Sequence, residues 1–186
     1  NSTYPPLSRE VVIARTLQFG YIQRLGGIPE IPLGERFFAG GSSSHRGFPD
    51  NQAGPRDPET GFPLGGNAML FHSTELRFPL IGEDVGGVLF HEMGNVYSSI
   101  DQVSFRYRQG PYQEFNYMVQ AVGFGIRYRT PVGPIRVDFS YSPNSPRFVG
   151  FSGTRDELLA CNPNTCVGVP QRINTFQFHF SLGQTF

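Results

Sequence analysis

At 186 residues, with fifteen acidic and fifteen basic side chains, the chain is sized for one domain and lacks the basic excess of a nucleic-acid binder. Charged residues are only 16% of the sequence, against about 25% in ordinary soluble domains, while Phe reaches 18 and Gly 23. No apolar run approaches the roughly eighteen residues of a membrane helix and residues 1–20 carry no signal-peptide pattern, so a membrane reading rests on strands. The chain opens on Asn1 and is read as an excerpt of a longer polypeptide.

Alternation predicts about seven strands, at 10–23, 34–41, 66–79, 86–97, 115–130, 134–143 and 173–186. The first is apolar on one face except for Arg15. Arg36 to Asn67 is a long polar stretch rich in Gly and Pro, with His45-Arg46-Gly47-Phe48 near its start, and such loops are functional or disordered. Gly40, Gly41 and Gly47 permit tight turns and close backbone approach, and Arg46 is a fork-shaped donor suited to carboxylates, so a fold-back is expected. The third strand sets Ala68, Leu70, Thr74, Leu76 and Phe78 on one face, interrupted by His72, with Ser73, Glu75 and Arg77 opposite. The fourth carries His91-Glu92-Met93-Gly94-Asn95-Val96-Tyr97. The fifth and sixth show Val122, Phe124, Ile126, Tyr128 and Ile135, Val137, Phe139, Tyr141 on one face, with Arg127, Arg129, Arg136, Asp138 and Ser140 on the other. The last alternates Phe176, Phe178, Phe180 and Leu182 with Gln177, His179 and Ser181.

Connections 26–33, 81–85 and 130–133 are short, while 41–65, 98–114 and 144–172 are long. That asymmetry, with polar and apolar faces on every strand, fits a transmembrane antiparallel β-barrel better than a soluble sandwich, whose apolar face needs a second sheet. Tyr128, Tyr141 and Phe186 sit near strand ends, where an interfacial girdle would place them. Single-chain barrels close with an even number of strands, about eight or more, so seven call for a missed strand or for further polypeptide. Cys161 and Cys166, in the last long loop, are placed to close a small disulfide in an oxidising compartment; free thiols are the alternative.

The His45–Phe48 segment, Gly65-Gly66-Asn67 opening the third strand, the His91–Tyr97 segment, the Arg129–Arg136 turn and the closing Phe186 occur together in this order. Jointly they resemble the C-terminal half of the BamA/TamA outer-membrane assembly-factor superfamily, with its (V/I)RGF motif, from about Val11 to Phe186. The resemblance implies that residues 1–186 are the C-terminal part of an all-β barrel of about sixteen strands, with N-terminal strands and POTRA domains outside them. It implies that residues 41–65 form an inserted loop in which Arg46, beside Gly47 and Phe48, meets Glu75 and Glu92 on the inner wall. His45 departs from the β-branched residue usual at its position. The resemblance also implies that Phe176, Phe178, Phe180 and Phe186 form an insertion signal on a last strand that pairs weakly with the first, as a lateral gate eased by Gly183.

The function so implied is protein insertion at the outer membrane of a Gram-negative bacterium, by hydrogen-bond exchange with client strands, without enzyme chemistry, cofactor or metal. Partners would be outer-membrane lipids, unfolded β-barrel clients, POTRA domains of the same chain and accessory lipoproteins, with no nucleic acid. The alternative inside the superfamily is a TamA-like or two-partner-secretion-like translocation pore. A porin-like channel ranks lower because a lumen plugged by residues 41–65 should conduct poorly, and an outer-membrane enzyme because His91, Glu92 and the Ser42–Ser44 run are its only raw material, where a triad needs three roles in hydrogen-bond geometry.

Overall fold

The computed structural model describes residues 1–8, 10–26, 30–82, 84–131, 133–160 and 168–183. Its elements are β1 (Ser2–Thr3), β2 (Val12–Tyr21), β3 (Ala68–Ile81), β4 (Val85–Tyr97), β5 (Val119–Tyr128), β6 (Ile135–Tyr141), β7 (Arg147–Gly150), α1 (Arg155–Ala160), β8 (Val169–Arg172) and β9 (Phe176–Leu182). One seven-stranded antiparallel sheet runs in the order β1-β2-β3-β4-β5-β6-β9, and β7 and β8 form a separate hairpin. No described helix is long and apolar enough to cross a membrane, which says nothing of strands.

The strand expected at 34–41 does not form. Leu33–Glu35 makes a 3-10 turn, and only Phe37 bridges, to Gly66. Gly40 and Gly41, at φ +124° and +84°, then turn the chain away from any extended path. The expected short turn at 26–33 and long loop at 41–65 are therefore one excursion between β2 and β3. The sheet still counts seven strands because β1 pairs with β2 through Ser2–Thr16 and Thr3–Arg15. The expected loop 144–172 contains β7, α1 and β8. Cys161, Cys166 and Phe186 lie outside the described residues.

With that correction the asymmetry of the connections becomes consistent. Long ones join Tyr21 to Ala68, Tyr97 to Val119 and Tyr141 to Phe176 at one end, and short ones join Ile81 to Val85 and Tyr128 to Ile135 at the other. The alternation assigns the faces: Ala14, Ser73, Glu75, Phe90, Glu92, Ala121, Asp138 and His179 point inward, toward the excursion. Outward stand Leu17, Phe19, Leu89, Phe124, Phe139, Phe176, Phe178 and Phe180, each more than 40% exposed. An aromatic row, Phe124 to Phe139 at 5.3 Å and Phe139 to Phe178 at 5.1 Å, lies on this exposed outward face. Such a surface is stable in lipid and costly in water.

The buried cluster sits on the inner side, where the excursion meets the sheet. It joins Ala39, Phe48 and Ala53 of the excursion to Phe71, Val96 and Val119 of the strands and to Phe115, Tyr117, Phe148 and Ile173 of the other long connections. Between the large inward side chains, Ala121, Gly123 and Gly125 keep room for them. A Cβ on Gly123 would strike the Phe90 ring and the Phe139 carbonyl. Gly123→Val is therefore expected to destabilise the barrel by about 1–3 kcal/mol, read as a lower urea midpoint of unfolding in vesicles.

Candidate functional site

The excursion is held as a tight knot before it reaches the wall. Gly41 N–H donates to the Phe48 carbonyl, Ser44 N–H to Gly41 and Phe48 N–H to His45, while the Ser44 hydroxyl bonds both the N–H and the carbonyl of Gly40. Asp50 occupies the space that a side chain on Gly41 would need, and Gly47 passes so close to Ala121 and the His45 ring that a Cβ there would collide with both. The knot presents one side chain, Arg46, to the inner wall.

Arg46 is 4% exposed and meets carboxylates from three strands. Its Nε and Nη2 donate to Glu92 Oε1 at 2.8 and 2.6 Å, and its backbone N–H donates to Glu92 Oε2 at 2.6 Å. Nη2 also reaches Glu75 Oε1 at 2.6 Å, and Nη1 reaches Asp138 Oδ1 at 3.4 Å. The guanidinium lies over the Phe90 ring, 3.5 Å from its centroid. On the opposite side of the residue, the Arg46 carbonyl accepts from the Ser140 hydroxyl and from His179 Nε2. Strands β3, β4, β6 and β9 are thus tied to one residue of the excursion.

Further arginines complete the charge balance. Arg77 grips Glu75 Oε2 through Nε and Nη2 at 2.8 and 2.7 Å, and Arg127 Nη2 lies 2.8 Å from Asp138 Oδ1. Each of the three buried carboxylates is thus paired with at least one arginine, and Arg136 lies within electrostatic reach of Glu75 and Asp138, the condition under which a buried ion cluster is tolerable. Arg56 makes a second attachment: its guanidinium donates to the Gly61 and Gln52 carbonyls and to the Gln52 side chain, and stacks 4.3 Å over Phe148 of β7. Burial among these neutral acceptors pushes Arg56 down to about 10.

His45 is fully buried, edge-on to Phe48 at 5.0 Å and Phe71 at 5.8 Å. Its Nδ1 accepts from Gly47 N–H and its Nε2 donates to the Val119 carbonyl, which makes it a neutral imidazole with one defined tautomer. Burial pushes it below its ordinary value, with the Glu92 charge opposing in part. A histidine here fills an apolar slot and supplies two hydrogen bonds that a β-branched residue lacks.

Of the residues singled out from sequence, Arg46, Gly47, Phe48, Glu75 and Glu92 come together here, and Phe48 is buried in the core. Asp138, Phe90, Ser140 and His179 were not assigned to the site. Their signal was parity alone, since Asp138, Ser140 and His179 all fall on the polar face of their strands. Phe176, Phe178 and Phe180 lie far from the cluster in role, on the outward face of an edge strand that Gly183 ends at φ +94°. His91 and Glu92 point to opposite faces, His91 bonding Gln120 Oε1 at 2.7 Å outside and Glu92 holding Arg46 inside. No acid–base pair forms from them.

An antiparallel sheet with an outward apolar face, inward charges, loops lengthened at one end and one loop latched to the inner wall is part of an outer-membrane β-barrel. The chain belongs to the Omp85 superfamily, whose domain matches residues 1–186. It is 32% identical over 120 residues to an outer membrane protein assembly factor BamA of Nitratidesulfovibrio vulgaris, covering 62% of this chain and 14% of that protein. A SAM50-like protein of Schizosaccharomyces pombe is 27% identical over 134 residues, covering 72% of this chain and 28% of the relative. The fold is similar to the crystal structure of BamA from Haemophilus ducreyi lacking POTRA domains 1–3, with TM-score 0.63 and 22% identity over 95% of this chain and 32% of that one. The chain thus spans less than a third of the length of these proteins.

Arg46→Ala leaves three buried carboxylates short of a cation and is expected to cost about 3–5 kcal/mol; Arg46→Lys, a point charge without the fork, recovers part of it. Both are read from protection of residues 41–65 against proteolysis. Because the docked His45 has a lowered pKa, its contribution is complete above the ordinary imidazole value of about 6.5 and is lost as pH falls through the depressed one. Protection of the loop should therefore fall on acidification, and His45→Val should flatten that dependence.

Proposed function

We propose that this chain is the latch-bearing, C-terminal portion of an outer-membrane protein assembly factor of a Gram-negative bacterium, a barrel that inserts other β-barrel proteins without enzyme chemistry. The observation that carries this reading is the Arg46 cluster, which fixes an excursion of the chain against β3, β4, β6 and β9. A loop so held supports a barrel that opens at one seam without losing its shape, because the strands near the last edge stay referenced to β3 and β4 through one residue.

The edge itself suits strand exchange. Among the described residues β9 pairs only with β6, leaving its other side for a neighbouring strand. Phe176, Phe178 and Phe180 anchor it in lipid while its backbone groups are available to a client strand, which gains hydrogen bonds there that lipid cannot offer. Ring closure, the gate between this strand and the first, POTRA domains in the same chain and accessory lipoproteins all follow from the reading as its requirements. A lumen occupied by the knot at Arg46 and Phe48 weighs against a freely conducting channel, and the divergence of His91 from Glu92 weighs against a hydrolase.

The full native chain, reconstituted in vesicles with its accessory proteins and an unfolded β-barrel client, tests this. Arg46→Ala is expected to slow client insertion at least about tenfold while Arg106→Ala, in a peripheral loop, leaves it unchanged. Client insertion at the unaltered rate by a folded Arg46→Ala barrel would contradict the reading.

A further inference from the structure

The outward faces of β2 to β6 and β9 are apolar except in one place. Strand register puts Arg15 of β2, Thr74 of β3 and His91 of β4 in one row, and His72 of β3, Met93 of β4 and Gln120 of β5 in the row above it, toward the long connections. Arg15 is exposed, and among the described residues no hydrogen bond, ion pair or ring contact engages its guanidinium. It is the only fixed charge pointing outward from these strands, since register puts Glu75, Arg77, Glu92, Arg127, Arg136 and Asp138 all on the inward face. Beside it, His72 Nδ1 is buried without a partner among the described residues. His91 and Gln120 bond each other at 2.7 Å.

Height in the bilayer decides what such a patch meets. Leu76 and Phe78 of β3 lie between Thr74 and the short-turn end, and Leu70 lies between His72 and the long-connection end. At about 3.3 Å per residue and a tilt of about 40°, the patch falls near the middle of an apolar band about 25 Å tall. Lipid tails offer nothing to a guanidinium at that depth, and lipid phosphates sit a leaflet's thickness away. A polar residue retained there is expected to have a partner. The patch carries charge of one sign, offers donors from Arg15 and Thr74, and spreads over four adjacent strands, which is wide enough for a transmembrane segment to lie against.

We propose that this outer-wall patch docks a membrane-spanning segment of a partner protein that presents a carboxylate to Arg15, with Thr74 bonding its polar neighbours. The surface lies on the far side of the sheet wall from the Arg46 latch and well away from the β9 edge, so it does not depend on the insertase reading. Docking there would leave the edge strand open to clients.

The experiment uses the full native chain in its own membranes with a photoreactive p-benzoylphenylalanine in place of Thr74. The expected product is a discrete protein adduct whose crosslinked peptide lies in a membrane-spanning segment and contains Asp or Glu. Arg15→Leu, which removes a lipid-facing charge and leaves folding intact by the heat-modifiable migration of the barrel, should cut the adduct at least tenfold. Arg15→Glu should abolish it, and Lys at the partner's carboxylate should restore it. Adducts to lipid alone, adducts to another strand of the same chain, or a protein adduct indifferent to Arg15→Leu would each overturn the proposal.

Discussion

A guanidinium moved out of water is tolerable only where opposite charge and hydrogen-bond geometry are supplied together, and Arg46 obtains both from the sheet it docks on. Glu92 takes its backbone N–H and two of its side-chain donors, Glu75 and Asp138 take others, and Phe90 covers its face. None of these partners is local in sequence. The excursion therefore docks only where β3, β4 and β6 are already in register, and the wall carboxylates in turn are compensated only when the loop is in. Each side makes the other affordable.

That mutual dependence shapes the neighbouring sequence. Phe90 lies over Gly123, where any side chain would strike its ring, and Gly125 gives the same room to Asp138. Gly47 lets the chain pass Ala121 closely enough for its neighbour Arg46 to reach the wall, and Gly40 and Gly41 take up the backbone reversal at positive φ. Above the ion cluster the loop makes apolar contact through Phe48, His45 and Ala53, with Arg56 stacked on Phe148. Polar fixation at depth and apolar packing toward the long connections divide the work of holding one excursion.

Strands were legible where one face meets lipid and the other meets charge, because alternation then has to be strict; β3, β5, β6 and β9 show it best. The stretch 34–41 misled because adjacent aromatics, Phe37 and Phe38, suggest a strand, although Gly40 and Gly41 prevent one and only a single bridge to Gly66 forms. The hairpin of β7 and β8 was hidden inside a loop because four-residue strands carry almost no periodic signal. At the site, Glu75 and Glu92 were visible as acidic residues of known parity on adjacent strands. Asp138 shared that parity, but its approach to Arg46 depends on the curvature that brings β6 round toward β3, and sequence spacing does not encode curvature. His179 is opposite Asp138 in register and became visible only with the pairing of β6 and β9.

Arg46 and the wall carboxylates stabilise the docked excursion as a coupled unit, and a double-mutant cycle between Arg46 and Glu92 measures that coupling. Arg46→Ala, Glu92→Gln and the double variant would be compared by urea unfolding of the folded barrel in vesicles. A coupling energy of about 2 kcal/mol or more is predicted, with the double variant more stable than the sum of the single losses allows. Additive losses, with coupling near zero, would contradict the account.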